Sequence, residues 1–335
     1  MDLIIQPDDG LAPLMQAVRH AKTNIDILIF RFDRPELEKA LEAAVARGVV
    51  VRALIAHTNR GGEKGLRKLE LKMLAAGVIV ARTADDLLRY HGKMMIVDGE
   101  LYVLGFNFTK LDMEKSRSFG VVTKDPRLVK EATALFEADS TRQPYKPGHD
   151  RFVVSPESSR KILAEFIDGA KKQLLIYDTK VSDPALLKLL LARAKQGVDI
   201  RVLGKARKGV TAIEARKLVG PRLHVRAVIR DGAAAFVGSQ SLRKLELDGR
   251  REVGLILSDT SVAKRMTEVF EGDWERSQTK AEAKLEAKLE AKLEAANGKE
   301  KDKVKDKDKD KDKGKDKGKD KGKEKESEAE TAQKA

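Results

Sequence analysis

The chain has no cysteine among its 335 residues, which excludes disulfides and thiolate metal sites and leaves the redox compartment open. Aromatic residues make up only 4%, so the stacking platforms expected of a single-strand nucleic-acid binder are scarce. No apolar run reaches the roughly eighteen residues that a membrane-crossing helix needs, and no transmembrane anchor is expected. The opening MDLIIQPDDGLAP carries an early acid and lacks the basic start and long apolar run of a secretory signal. The expected location is therefore cytoplasmic, or peripheral to a membrane. No cluster of His, Asp and Glu has metal-ligand spacing, and the Gly-rich NRGGEKG lacks the spacing of a P-loop. Neither a metal nor a cofactor is expected.

Charge, by contrast, is abundant. There are 67 basic and 53 acidic side chains, a formal excess of +14. The segment after residue 278 holds 19 lysines and 16 acids, so 48 basic residues face 37 acidic ones in the rest. The positive excess thus belongs mainly to the part that can fold, and it favours phosphate-bearing partners, lipid headgroups or nucleic acid.

Hydrophobic periodicity alternates between strand and helix. NIDILIFRFD (24–33) reads as a strand with Ile25, Ile27 and Ile29 on one face. Asp33 is the expected N-cap of a helix with Pro35 in its first turn, a stripe of Leu37, Ala40, Leu41, Ala44 and Val45, and Gly48 as its stop. VVVRALIA (49–56) is the next strand. The same sequence of elements returns at 173–204, with QLLIYD, a helix from Asp183-Pro184, Gly197 and VDIRVL. Strands and helices in alternation imply an α/β architecture.

The recurrence is a duplication. Pro7 aligns with Pro156 and His91 with His224, and the offset falls by 16 residues between those points. The first half therefore carries an insertion, assigned to the helix EKGLRKLELKMLAAG and the strand VIVAR. The expected organisation is repeat 1 at 1–142, a connector at 143–150, repeat 2 at 151–278 and a tail at 279–335. The tail starts with EAKLEAKLEAKLE, whose like charges at i,i+4 weaken a helix, and continues as a Lys/Asp/Glu run that cannot bury apolar surface.

Within the duplication, YHGKMMIVDGELYVLGFN (90–107) and LHVRAVIRDGAAAFVGSQ (223–240) repeat one pattern: His-x-cation, four residues, Asp-Gly, an apolar run, then Gly-x-amide. Each reads as a hairpin turning at Asp98-Gly99 or Asp231-Gly232. In a strand, residues two apart share a face, which pairs His91 with Lys93 and His224 with Arg226. A histidine beside a fixed cation can meet a phosphate.

These motifs resemble the doubled His-x-Lys-x4-Asp signature of the phospholipase D superfamily, with its Gly-Ser-x-Asn element. The resemblance spans residues 1–278. It implies two pseudo-symmetric repeats of mixed β-sheet flanked by helices, with both motifs meeting at one site, so that a monomer suffices. It implies phosphodiester chemistry without a metal: one histidine, expected to be His91, attacks phosphorus, and the other, His224, protonates the leaving alcohol. Lys93 and Arg226 would hold the non-bridging oxygens, with Asn107, Ser239 and Gln240 donating hydrogen bonds. Glu252 matches a carboxylate that orients a histidine, and Asp98 and Asp231 complete the motifs at the turns. The sequence departs from the pattern at Arg226 for Lys, Phe106 for Ser, Gln240 for Asn, and Ser118 where the first repeat would have its carboxylate. The expected substrate is a phospholipid at a membrane surface. A cardiolipin synthase-like phosphatidyl transferase, a nuclease and a non-catalytic phosphate-binding module stand as alternatives.

Overall fold

Strand alternation decides which side of each sheet meets which layer. The computed structural model describes residues 1–58, 62–207, 210, 213–279, 282 and 285, and the body that carries both repeats runs from Met1 to Thr279. In the strand Asn24–Ile29, Ile25, Ile27 and Ile29 face an outer helical layer while Leu28 faces the molecular interior. The strand Gln173–Val181 repeats this, with Leu174 and Ile176 outward and Leu175 and Tyr177 inward. The apolar stripe of the helix Pro35–Ala46 covers the first outer face, and Leu186, Leu187 and Leu190 of Pro184–Lys195 cover the second. The inner faces share one core with the helices Pro126–Thr141 and Thr260–Glu275. Phe119 of one sheet meets Tyr177 of the other edge-on at 5.6 Å.

Both sheets are mixed, and their strand orders match. The first runs Asp2–Gln6, Ser116–Thr123, Glu100–Leu104, Met94–Val97, Asn24–Ile29, Val50–Ile55, Ile79–Arg82. The second runs Phe152–Ser155, Arg250–Leu257, Ala234–Gly238, Ala227–Arg230, Gln173–Val181, Asp199–Ala206, Glu214–Lys217. Glu214–Lys217 is the counterpart of Ile79–Arg82, so VIVAR is common to both repeats. The extra material in the first is the helix Gly62–Ala75 alone, because the stretch between Arg207 and Ile213 is too short to hold fourteen helical residues.

Two short strands break the separation of the halves. Arg89–Tyr90, from the first repeat, pairs in parallel with Arg250 and Arg251 of the second sheet. Arg222–Leu223, from the second repeat, pairs in the same way with Ser116 and Arg117 of the first. Each two-residue strand immediately precedes a motif histidine, so each histidine enters from its own chain half and is anchored on the other.

Local departures from the sequence reading have simple causes. Asp33 does not cap Pro35–Ala46. Its Oδ1 accepts from the Lys110 N–H, and Arg34 occupies the N-cap without a side-chain bond. Asp183 does cap its helix, accepting from the Ala185 and Leu186 N–H groups. The motif strands begin at Met94 and Ala227 rather than at the histidines, whose backbones serve the opposite sheet. The tail helix and charged run of 279–335 lie, but for isolated residues, outside the described residues.

Candidate active site

Because each histidine is carried by a crossing strand, its backbone bonds are made to the opposite repeat. The His91 N–H donates to the Arg251 carbonyl at 2.7 Å, and the His224 N–H to the Arg117 carbonyl at 3.3 Å. Arg117 and Arg251 are themselves fixed by equivalent partners. Arg117 binds Asp273 and the Gln6 carbonyl, and Arg251 binds Asp139, Glu157 and the Ser155 carbonyl. The platform under both histidines is thus a pair of buried, multiply bonded guanidiniums.

The side chains cross as well. Nδ1 of His91 lies 2.8 Å from Oε2 of Glu252, which is fully buried on Arg250–Leu257. With the carboxylate accepting, Nδ1 carries the proton and Nε2 keeps its lone pair. Phe30 packs edge-on against the imidazole at 4.5 Å and also lies 5.3 Å below the Lys93 ammonium. Lys93, fully buried, donates to the His91 carbonyl. The second histidine faces a carboxylate that the motifs do not contain: Oδ2 of Asp112, on the helix Lys110–Lys115, is 3.4 Å from His224 Nδ1. Asp112 also accepts from the Asn107 backbone N–H at 3.0 Å, from Asn107 Nδ2 at 2.6 Å, and from Arg222.

Electrostatics follow from burial among cations. Burial, reinforced by Lys93, Arg226, Arg250 and Arg89, holds His91 well below the ordinary 6.5. Burial with Arg226, Lys93, Arg222 and His91 itself does the same to His224. Burial also draws the Lys93 ammonium well below 10.5, against the pull of Glu252. Burial raises Glu252, opposed by Lys93, Ser239, Arg226 and Arg250. Both imidazoles are therefore neutral at pH 7. Nε and Nη1 of the buried Arg226 have no hydrogen-bond partner, and its charge acts on both histidines.

His91, Lys93, His224, Arg226, Asn107 and Glu252 are thus brought together, whereas the Ser239 hydroxyl donates to the Val253 carbonyl and accepts from the Val253 N–H beside Glu252. The other motif residues are elsewhere. Asp98 accepts from the Lys22, Thr23 and Asn24 N–H groups and from the Thr23 hydroxyl. Asp231 accepts from the Lys171, Lys172 and Gln173 N–H groups. Each carboxylate clamps the start of the neighbouring strand at the end of the hairpin remote from its histidine. Gln240 Nε2 donates to the Val153 carbonyl, inside the sheet.

Gln240 is displaced by a one-residue difference in the turns. Val97 pairs with Glu100 across a two-residue loop, whereas Arg230 pairs with Ala234 across three. After the turn, Leu104 N–H bonds Lys93 and Gly238 N–H bonds Arg226, Gly105 matches Ser239, and Asn107 matches Ser241. Gln240 therefore corresponds to the buried Phe106, and Ser241 is the residue in the place of Asn107. Its hydroxyl binds the buried Asp178, which also accepts from the Leu242 N–H at 2.6 Å. Asp112 in turn corresponds to Glu246, which binds Arg243 and Arg250. Ser118 does stand opposite Glu252 in the symmetry, as a buried hydroxyl without a partner. Asp112 and Ser241 escaped the sequence reading. Only the exact turn lengths could have exposed Ser241. Among the described residues, no group of three or more His, Asp and Glu side chains is arranged to hold a metal ion, and no helix is long and apolar enough to cross a membrane.

Comparison with known proteins agrees with this geometry. The family model described as "Cardiolipin synthase, PLD-like domain" matches residues 14–140 and 163–274, one stretch in each repeat. The chain is similar to the mitochondrial cardiolipin hydrolase of Danio rerio, 29% identical over 134 residues, covering 37% of this chain and 56% of that protein. It is also similar to the polyphosphate kinase of Yersinia pestis, 24% identical over 229 residues, 59% of this chain and 33% of that one. The chain thus spans about half and one third of the length of these relatives. Two solved structures share its fold. Polyphosphate kinase from Porphyromonas gingivalis has a TM-score of 0.67 at 18% identity, over 81% of this chain and 49% of that one. Phosphatidylserine synthase from Haemophilus influenzae Rd KW20 has a TM-score of 0.63 at 10% identity, over 88% and 93%.

Proposed function

From the premise that the chain belongs to the family of cardiolipin synthase and phospholipase D-like domains, we propose that it cleaves or transfers the phosphatidyl group of a phospholipid through a phosphohistidine. The observation that carries this reading is the meeting of two buried histidines from different repeats, each beside a carboxylate of the other repeat, with Lys93 and the unsatisfied Arg226 guanidinium acting on both. His91, with Nδ1 tied to Glu252, offers the Nε2 lone pair to phosphorus as the bond from phosphorus to the headgroup oxygen breaks. The phosphodiester anion, entering between Lys93 and Arg226, offsets the cations that, together with burial, disfavour the proton on His224. His224 then takes up a proton and delivers it to the leaving alcohol. In the second step it removes a proton from water or an acceptor alcohol, which attacks phosphorus and releases His91. Lys93 and Arg226 bind the non-bridging oxygens throughout.

The name of the Danio rerio relative, a cardiolipin hydrolase, and that of the Haemophilus influenzae structure, a phosphatidylserine synthase, support a phospholipid substrate. The test uses mixed phospholipid vesicles with and without a primary alcohol, comparing the parent protein with His91→Ala and His224→Ala. Phosphatidic acid that is diverted to a phosphatidyl-alcohol, and lost in both variants, is the expected result. Absence of any lipid turnover by the parent protein would overturn the reading.

A further inference from the structure

The symmetry that builds the site also decorates its mouth. The helices that carry Asp112 and Glu246 are single short turns, Lys110–Lys115 and Lys244–Asp248, at equivalent places in the two repeats. Each starts with the same dipeptide, Lys-Leu, and continues with a carboxylate turned inward. The leucine before each buried carboxylate is turned outward: Leu111 is 49% exposed and Leu245 is 42% exposed. Leu88, 62% exposed, stands three residues before His91, and its N–H bonds the Gly249 carbonyl just past the second helix. Three large aliphatic side chains are thus exposed on the segments that lead into His91, Asp112 and Glu246.

Cations accompany them. Lys110, Lys244 and Arg222 are exposed, and Arg243 is partly so. The acids of the two helices are already paired: Asp112 with Arg222, Glu114 with Arg34, Glu246 with Arg243 and Arg250, and Asp248 with Arg160. What remains unpaired on these helices is positive and aliphatic. Nucleic acid would be met by the cations but has no use for leucine prongs, and no aromatic residue is found among the exposed large hydrophobics of the described residues. A bilayer uses both, because anionic headgroups attract the cations while aliphatic side chains enter the acyl boundary.

We propose that Leu88, Leu111 and Leu245, with Lys110 and Lys244, form a docking surface for an anionic phospholipid bilayer. This surface seats the site mouth on the membrane, so a headgroup phosphodiester can reach His91 without the lipid leaving the leaflet. The inference rests on the phospholipid reading of the site and specifies where the membrane is met.

Docking is read without turnover, in the full chain carrying His91→Ala, by co-sedimentation with phosphatidylcholine vesicles with or without phosphatidylglycerol. Leu111→Ser with Leu245→Ser should weaken binding to the anionic vesicles by about tenfold or more, given the apolar area withdrawn from the bilayer. Leu88→Ser should add to this. Lys110→Glu with Lys244→Glu should remove the preference for phosphatidylglycerol. Leu71→Ser with Leu74→Ser, exposed leucines on the helix Gly62–Ala75, should leave binding unchanged, and unaltered melting temperatures will verify folding throughout. Vesicle binding that survives the Leu111/Leu245 change would overturn the proposal. So would a preference for duplex DNA over vesicles that depends on the lysines and ignores the leucines. Failure of the alcohol-transfer assay with docking intact would remove the proposed chemistry and leave the surface standing.

Discussion

Asp112 of the first repeat stands 3.4 Å from Nδ1 of His224 in the second without hydrogen-bonding to it. The other histidine is held more closely, with His91 Nδ1 2.8 Å from Glu252. The two carboxylates occupy different places in the duplicated fold, a helix in one case and a strand in the other. The site is therefore symmetric in its histidines and asymmetric in what stands behind them. This difference favours His91, with its tautomer fixed, as the nucleophile, and His224, with a looser ring, as the group that gains and loses a proton.

Neutralising the two carboxylates should therefore have unequal effects. Glu252→Gln removes the charge that fixes the His91 tautomer, and a fall in kcat approaching ~10⁴-fold is expected, the scale seen for such a change behind a catalytic histidine. Asp112→Asn should cost less, about tenfold to a hundredfold, and should move the pH profile of kcat, because it acts on the histidine that changes protonation. Steady-state kinetics across pH on both variants checks this, and equal losses with unmoved profiles would contradict the assignment.

Anion binding should be accompanied by proton uptake. His91, His224 and Lys93 all bind protons less readily than their free counterparts, through burial and mutual repulsion. A phosphate placed between them raises all three. Calorimetric titration with inorganic phosphate or vanadate near neutral pH, in buffers of different ionisation enthalpy, should show protons taken up from the buffer. Uptake should shrink in His224→Ala. Absence of uptake would mean that the histidines were already charged.

Arg226 should matter to affinity and turnover together. Its buried Nε and Nη1 donors have no hydrogen-bond partner. Arg226→Ala is expected to lower kcat/KM by about a hundredfold or more, the scale of losing one preorganised donor to a developing negative charge. Arg226→Lys restores the residue of the family pattern and should recover part of that loss. Parallel kinetics on the two variants would test both statements.

Asp98 and Asp231 should prove to be matters of stability. For Asp98, burial raises the carboxyl, but hydrogen bonds from Thr23, Asn24 and Lys22 outweigh it and hold the group well below the usual range. A depressed pKa means that the unfolded chain binds the proton more readily. The contribution is present in full above about pH 4 and is lost as pH falls through the folded value. Asp98→Ala should lower stability by about 1–3 kcal/mol at neutral pH and flatten the acid side of the stability curve. The protein that remains folded should keep its turnover number. Denaturant titrations at several pH values test the first point, and active-site titration tests the second.

The architecture was legible from periodicity and repetition. Ile25, Ile27 and Ile29 announced an alternating strand, the stripe from Leu37 to Val45 announced its covering helix, and the resemblance of the doubled motif to phospholipase D signatures implied two histidines in one site. What stayed hidden depended on lengths and on distant pairing. Arg89–Tyr90 and Arg222–Leu223 are too short to show any period, so the exchange of strands between repeats left no trace. One additional residue in the second turn moved the amide position that closes the motif, so Gln240 took the place that belongs to Ser241, while the later match of Ser118 with Glu252 held. Asp112 lies in KLDMEK, where a carboxylate among charged neighbours reads as a solvated helical face. Its burial follows from the arrival of His224 and Arg222 from the other half of the chain, which no local pattern encodes.

The exchanged strands also set an order of events in the life of the chain. His91 is synthesised early, but the backbone that receives it, Arg251, and the carboxylate that orients it, Glu252, emerge from the ribosome some 160 residues later. Until then the first repeat carries an incomplete reaction centre and nothing to complete it. The first repeat taken alone therefore lacks both the backbone that anchors its histidine and the carboxylate that orients it.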